Sequence, residues 1–548
     1  MLNYKEGLLD LESITKKHLR RIYRNLHTPV LYEDIIKNRE GELAHLGPIV
    51  VRTGHYTERN HEDKFIVKEP VCEGKINWNE KTKEISIEHF NNLLYRLLAY
   101  LQNKDVYFQD SYLGNDPRHR IPLRIITETA WHSLYARNMY VQISTQKEFE
   151  EFKPEFTIIH VPGFHAIPDI DGTRSSSFII TSMGQKVVLI GGTSYAGEIR
   201  EAAISISNFL LSEKGLFTLR CSANMGTNGD VAIFLGRAGT GRSTLATDPE
   251  RRIVGDYEHA WTDDGLFSLD GGCYPKILNT SKEDPLIYQA TRRFGTILEN
   301  VFIDPETKRV DLTDKRLTEN LRACYPISHI PNAVREGICG HPSNIFLLTC
   351  DAFGVLPPLA RLTTEQTVFA FLSSYTSRFT EKKGEMTEPN PVFSVCFGAS
   401  PISIQPHEYA KTFMEKIKKH NVTCWLMNTG WVGEPCGNSE RIKISCSRAL
   451  INAVVTGKLK DVEYETDPVF QFEIPKECPG IPANILNPRM AAKDEGEYEV
   501  RANRLAYEFM KDYSQFETLM PETMRSMLSN IISIKDSVDL LEEFSLSM

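Results

Sequence analysis

Apolar positions along the chain fall into two textures. Short unbroken runs, Thr157-Ile-Ile-His160, Phe178-Ile-Ile-Thr181 and Val187-Val-Leu-Ile190, predict core strands. Ile49 to Thr53, Val106 to Gln109, Tyr140 to Ile143, Ile345 to Thr349 and Thr423 to Met427 predict further strands. Between them, Glu88 to Leu101 and Glu128 to Ala136 follow helical spacing, and Glu198 to Leu211 predicts a helix opening just after Gly197. Leu9 to Ile36 reads as one helix, with Lys16, Lys17, Arg20, Arg21 and Arg24 on a solvated face. Strands alternating with helices give an α/β class. A second nucleotide-type unit opens near Gly215, so the expected organisation is 1–215, 216–517 and a helical tail, 518–548. In that tail Met524, Met527, Leu528, Ile531, Ile534, Val538 and Leu541 keep helical spacing. This predicts a helix docked on its own domain or a face for a protein partner or self-association.

Composition narrows the class. A chain of 548 residues is too long for one core. Hydrophobic residues at 41% and charged residues at 25% are ordinary for a soluble globular protein. A net charge of −9 argues against a general nucleic-acid binder. No apolar run is long enough to cross a bilayer, and the start of the chain lacks a signal-peptide core, so no membrane partner is expected. Eleven scattered cysteines without a C-x-x-C pair favour reduced thiols and a cytoplasmic setting.

The richest stretch is Asp230-Val-Ala-Ile-Phe-Leu-Gly236, followed by Arg237, Ala238, Gly239, Thr240, Gly241, Arg242, Ser243 and Thr244. It reads as a strand entering a phosphate-binding loop, Gly236 to Ser243, with a helix after it. Glycines turn backbone N–H groups toward phosphates, a Lys reaches the terminal phosphates and a hydroxyl ligates Mg²⁺. Arg242 stands in the Lys position. Its planar fork keeps the charge but not the compact geometry. Asp256, ending the apolar run Ile253-Val-Gly255, is a candidate second carboxylate for Mg²⁺. Arg59 and Arg322, in polar loop contexts, suit a bidentate grip on carboxylate or phosphate.

These motifs, with Arg220-Cys-Ser-Ala-Asn224, Asp270-Gly-Gly-Cys-Tyr-Pro-Lys276, Leu298-Glu-Asn-Val301, Thr318-Glu-Asn320, Asp351 to Pro358, Thr387-Glu-Pro389 and Asn428-Thr-Gly-Trp431, resemble the ATP-dependent phosphoenolpyruvate carboxykinases over roughly residues 25 to 515. The resemblance implies a two-domain α/β fold whose mobile C-terminal nucleotide domain carries the phosphate loop, with the site in the cleft. It implies conversion of oxaloacetate and ATP to phosphoenolpyruvate, ADP and CO₂, with Mg²⁺ on the nucleotide and a second ion, usually Mn²⁺. Arg59, Tyr195 and Arg322 match positions that hold oxaloacetate, phosphoenolpyruvate or CO₂. Ser243 matches the metal-ligating hydroxyl, Asp256 the first of two aspartates, and Arg441, Ile442 and Ser447 the segment that packs adenosine.

The departures cluster. The family holds its second ion with a Lys, a His and an Asp, and this chain has Glu201, Arg220 and Tyr257 there. An arginine offers only donors, and a neutral tyrosine is a poor ligand. Glu201 is expected either to coordinate or to pair with Arg220. Arg200 replaces a second Lys, and Ala238 a loop Ser. A metal ion that stabilises developing charge is worth several kcal/mol, so the expectation is a nucleotide-binding homologue or scaffold, with the usual reaction lost or strongly reduced and the Mn²⁺ site degraded. The alternatives are a working carboxykinase of gluconeogenesis, and a phosphotransferase with another small acidic acceptor and Glu201 or Asp256 as base.

Overall fold

The computed structural model describes residues 18–76, 78, 82–280, 284–378, 381–382, 385–386, 389–398 and 405–517. The tail expected at 518–548 lies outside the described residues, as do Thr387 and Glu388. The chain divides into two compact α/β units.

The first unit comprises residues 18–219 and Thr247–Cys339. Its largest sheet is mixed and has nine strands among the described residues. The order is Arg21–Arg24, Asp105–Leu113, Ile121–Thr127, Phe156–Val161, Val187–Gly191, Phe178–Ser182, Lys64–Val67, Lys83–Ile85, with Val141–Gln142 added beside Asp105–Leu113. Strands Phe156–Val161, Phe178–Ser182 and Val187–Gly191 are buried at every position, which is why they read as unbroken apolar runs. Helix Ile87–Tyr100 buries Phe90, Leu93, Leu94 and Leu97, a helical stripe, and Ser86 Oγ caps it by accepting from His89 N at 3.2 Å.

Two expectations need correction here. Leu9 to Ile36 is not one helix. Arg21–Arg24 is a strand, parallel to Asp105–Phe108, and the helix runs Thr28–Lys37. Asn25 adopts φ 50°, which ends the strand, and Pro29 presets the first helical turn. Leu9 to Lys17 lie outside the described residues. Nor do the units follow a single cut near 215. Thr247–Cys339 returns to the first unit, where Ile297–Glu299 pairs in parallel with Ile49–Val51 and antiparallel with Arg322–Pro326. A linear texture of strands and turns carries no signal for such a return.

The second unit comprises Arg220–Ala246 and residues 340–398 and 405–517. Val231–Gly236, Pro342–Thr349 and Thr423–Asn428 lie side by side and parallel. Their carboxyl ends lead into Gly236 to Ser243, into Cys350-Asp351, and into Thr429-Gly430. The crevice outside such ends is where open α/β sheets bind ligands. Phe234, Phe346 and Met427 pack with Leu245, Leu450 and Ile451 into this unit's core.

Candidate functional site

In the first unit the decisive element is helix Gly197–Glu213. Glu198 and Glu201 are three residues apart, so they share a face. Glu198 Oε1 accepts from Asn60 N at 2.7 Å, and Glu201 Oε1 lies 2.9 Å from Arg59 Nη1. One helix face thus grips two consecutive residues of the loop after Ile49–Val51. Thr53 anchors the loop's start, where its N donates to Asn300 Oδ1 at 3.0 Å.

Tyr257 completes the cluster. Arg59 Nη2 donates to its hydroxyl at 2.8 Å, and that hydroxyl donates to Glu201 Oε1. The Arg59 and Glu201 side chains are only 23% and 16% exposed, so the pair is poorly screened. Burial opposes the charge on Arg59, but Glu201 and then Tyr257 outweigh it and hold the guanidinium above its ordinary range. Arg200 lies on the adjacent face, 3.9 Å over the Tyr257 ring. It is 3% exposed and its Nε donates to Asp270 Oδ2 at 3.1 Å. Asp270 keeps Arg200 charged against burial. Asp256, also buried, directly precedes Tyr257.

A second group in this unit contains Tyr195 and Arg322. Asn320 joins them. Its Nδ2 donates to Thr57 O at 2.9 Å and to the Tyr195 hydroxyl at 3.3 Å, and its Oδ1 accepts from Arg322 Nε at 2.9 Å. Arg322 Nη1 donates to Tyr274 O at 3.3 Å. The Tyr274 hydroxyl donates to buried Glu299 at 2.6 Å. Burial pushes that carboxyl up to about 7, although Tyr274 and Arg322 favour its charge. A Cβ at Gly197 would come within 2.7 Å of Cζ of the Tyr195 ring, so glycine there leaves room for the phenol.

In the second unit, Gly239 and Gly241 adopt φ 91° and 83° and shape the Gly236 to Ser243 loop. Its carbonyls are tied from behind. The Thr429 hydroxyl lies 3.0 Å from Thr240 O, and Arg441 Nη2 donates to Gly239 O at 2.8 Å. Arg441 Nε donates to Thr429 O at 2.8 Å, and Ile442 N to Gly430 O at 2.7 Å. Arg242 opens the short helix Arg242–Ala246, and its Nη1 lies 3.4 Å from Gly236 O. Ala238, Ser243 and Thr244 complete the loop and the helix start, and Ser447 is buried in helix Ile444–Val455. Arg220 belongs to this unit, where its Nη1 donates to Gly398 O at 2.6 Å. Glu201 has Arg59 and Tyr257 among its partners, on the helix face it shares with Glu198.

A family model described as phosphoenolpyruvate carboxykinase matches residues 20–484. The chain belongs to the phosphoenolpyruvate carboxykinase family. It is similar to proteins named phosphoenolpyruvate carboxykinase (ATP). The one from Pelobacter propionicus is 50% identical over 511 residues, spanning 93% of this chain and 96% of that protein. That from Geobacter metallireducens is 49% identical, spanning 93% and 96%, and that from Thermus thermophilus 45%, spanning 92% and 96%. Among the described residues, no helix is long and apolar enough to cross a membrane.

Several carboxykinase motif residues matter without having been singled out. Asp270 is the counter-ion of Arg200, Asn320 the hinge between Tyr195 and Arg322, and Glu299 the buried acid behind Tyr274. Asp351 accepts from Phe353, Val355 and Leu356 N and from the Tyr375 hydroxyl, at 2.8 to 2.9 Å. All but Tyr375 lie in the quoted motifs, yet each looks like any loop polar residue until its partner, distant in sequence, is known.

Proposed function

We propose that this carboxykinase-family protein binds a nucleotide and a small carboxylate, and that it turns over oxaloacetate with ATP at a strongly reduced rate. One observation carries this reading: Arg59, Glu201 and Tyr257 are bonded to one another. Of the three side chains standing at the family's second-ion positions, Glu201 already neutralises a cation, the neutral Tyr257 hydroxyl donates a hydrogen bond to Glu201, and Arg220 has no lone pair to offer. This donor set does not fit a divalent second ion.

The loop does fit a nucleotide. Gly236 to Thr244 would cradle the phosphates, Arg242 would supply charge, and Arg441, Ile442 and Ser447 would pack the adenosine. Ser243 would hold nucleotide-bound Mg²⁺, which neutralises the phosphates when bound. Arg59, Tyr195 and Arg322 would grip the acid, with Arg200 behind Tyr257. Free thiols at all eleven cysteines support a cytoplasmic setting.

A second reading, a working ATP-dependent carboxykinase of gluconeogenesis, is favoured by identity near 50% over more than nine-tenths of the chain. Likeness to the relatives weighs for this reading, and the side chains at 201, 220 and 257 weigh for the first. Oxaloacetate formation from phosphoenolpyruvate, ADP and bicarbonate with Mn²⁺ decides between them. The first reading expects turnover far below the ordinary range of ~1–1000 per second, and turnover within that range establishes the second. ATP consumption without oxaloacetate would instead indicate another small acidic acceptor. In either reading ATP with Mg²⁺ raises the melting temperature, as any ligand selective for the folded state must.

A further inference from the structure

The small-acid arginine carries its own anion. We propose that Glu201 is the specificity-determining residue at Arg59: it occupies the guanidinium as an internal carboxylate, and a free carboxylate binds there only by displacing it. The inference rests on the reading that Arg59 grips a small acid.

Three features make Glu201 a persistent occupant. First, Arg59 cannot easily swing away, because the next residue, Asn60, donates its backbone N–H to Glu198 on the same helix face. Second, the Tyr257 hydroxyl accepts from Arg59 and donates to Glu201, so the pair is closed into a three-membered ring of hydrogen bonds. Third, Tyr257 lies against Arg200, which Asp270 holds in a buried ion pair. A ligand must therefore offer more than one weak carboxylate. The chemistry favours a dianion with two adjacent acidic groups, able to replace Glu201 on Arg59 while reaching a second donor, and it disfavours simple monocarboxylates.

Oxalate is a suitable probe. Its affinity is measured by titration calorimetry for the native protein, Glu201→Gln, Tyr257→Phe, and the control Glu62→Gln, which removes an exposed carboxylate paired with Lys83. Glu201→Gln is expected to bind oxalate roughly ten- to hundred-fold more tightly, the worth of one charge-assisted bond no longer displaced. Tyr257→Phe should tighten binding by less, and Glu62→Gln should leave it unchanged. If Glu201→Gln does not fold, Tyr257→Phe carries the test, and an unchanged affinity overturns the proposal. Equal affinity in native protein and Glu201→Gln, with a loss in Arg59→Lys, overturns it while leaving Arg59 as the acid-binding arginine. No response to Arg59→Lys either would remove the underlying reading as well.

Discussion

Arg59 and Arg322 lie in the same unit and both suit a grip on a small acid, yet they are held in opposite ways. Arg322 is positioned by neutral acceptors, the Asn320 amide oxygen and the Tyr274 carbonyl. Arg59 is positioned by a carboxylate. Neutral partners fix a guanidinium's direction and leave its charge for a ligand. A carboxylate fixes the direction and cancels much of the charge. An arginine at a family position is thus a poor guide to binding until its counter-ion is known.

The largest test breaks the contrast outright. Restoring Lys, His, Asp and Lys by Glu201→Lys, Arg220→His, Tyr257→Asp and Arg242→Lys removes Glu201 from Arg59 and returns the family's second-ion ligand types. If these positions are the block, carboxykinase turnover should rise by about a thousand-fold or more, the several kcal/mol that a bridging metal supplies. Unchanged turnover would put the cause elsewhere.

A smaller effect concerns the acid behind Arg322. Glu299 is held at about 7 when folded, and an unfolded glutamate titrates from an ordinary value near 4.5. Between those values the folded state holds a proton that the unfolded state has lost. Stability from this group is therefore complete below the unfolded value and is lost as pH rises toward 7, by up to about 3 kcal/mol. Glu299→Gln should flatten that part of the profile in denaturant melts at pH 5 to 7.5. An identical slope in the variant would show that another group titrates.

The smallest effect compares the arginines directly. Arg322→Lys should weaken oxalate binding by about 1.5–3 kcal/mol, through loss of charge-assisted bonds, and Arg59→Lys by less, because Glu201 already competes there. Calorimetric affinities for both variants check the order, and the reverse order would reject the contrast.

Much of this was legible in the sequence, for identifiable reasons. Strands such as Val187–Gly191 are buried on both faces, so their apolar runs are unambiguous. The loop motif is local, and two of its glycines, Gly239 and Gly241, take positive φ. What escaped is pairwise. Nothing near Glu201 announces Arg59, and nothing near Asp270 announces Arg200, because each partner is brought in by a different element. The mistaken N-terminal helix has a simpler cause. Its strand portion, Arg21–Arg24, is too short and too charged to outweigh helical spacing around it.

The ties behind Gly239 and Thr240 come from Thr429 and Arg441, about two hundred residues later in the chain. A ribosome that has released only the first four hundred residues has therefore made the glycine loop but not the parts that brace it. A chain truncated before Thr429 would keep the glycine loop and lose the hydrogen bonds that hold its Gly239 and Thr240 carbonyls.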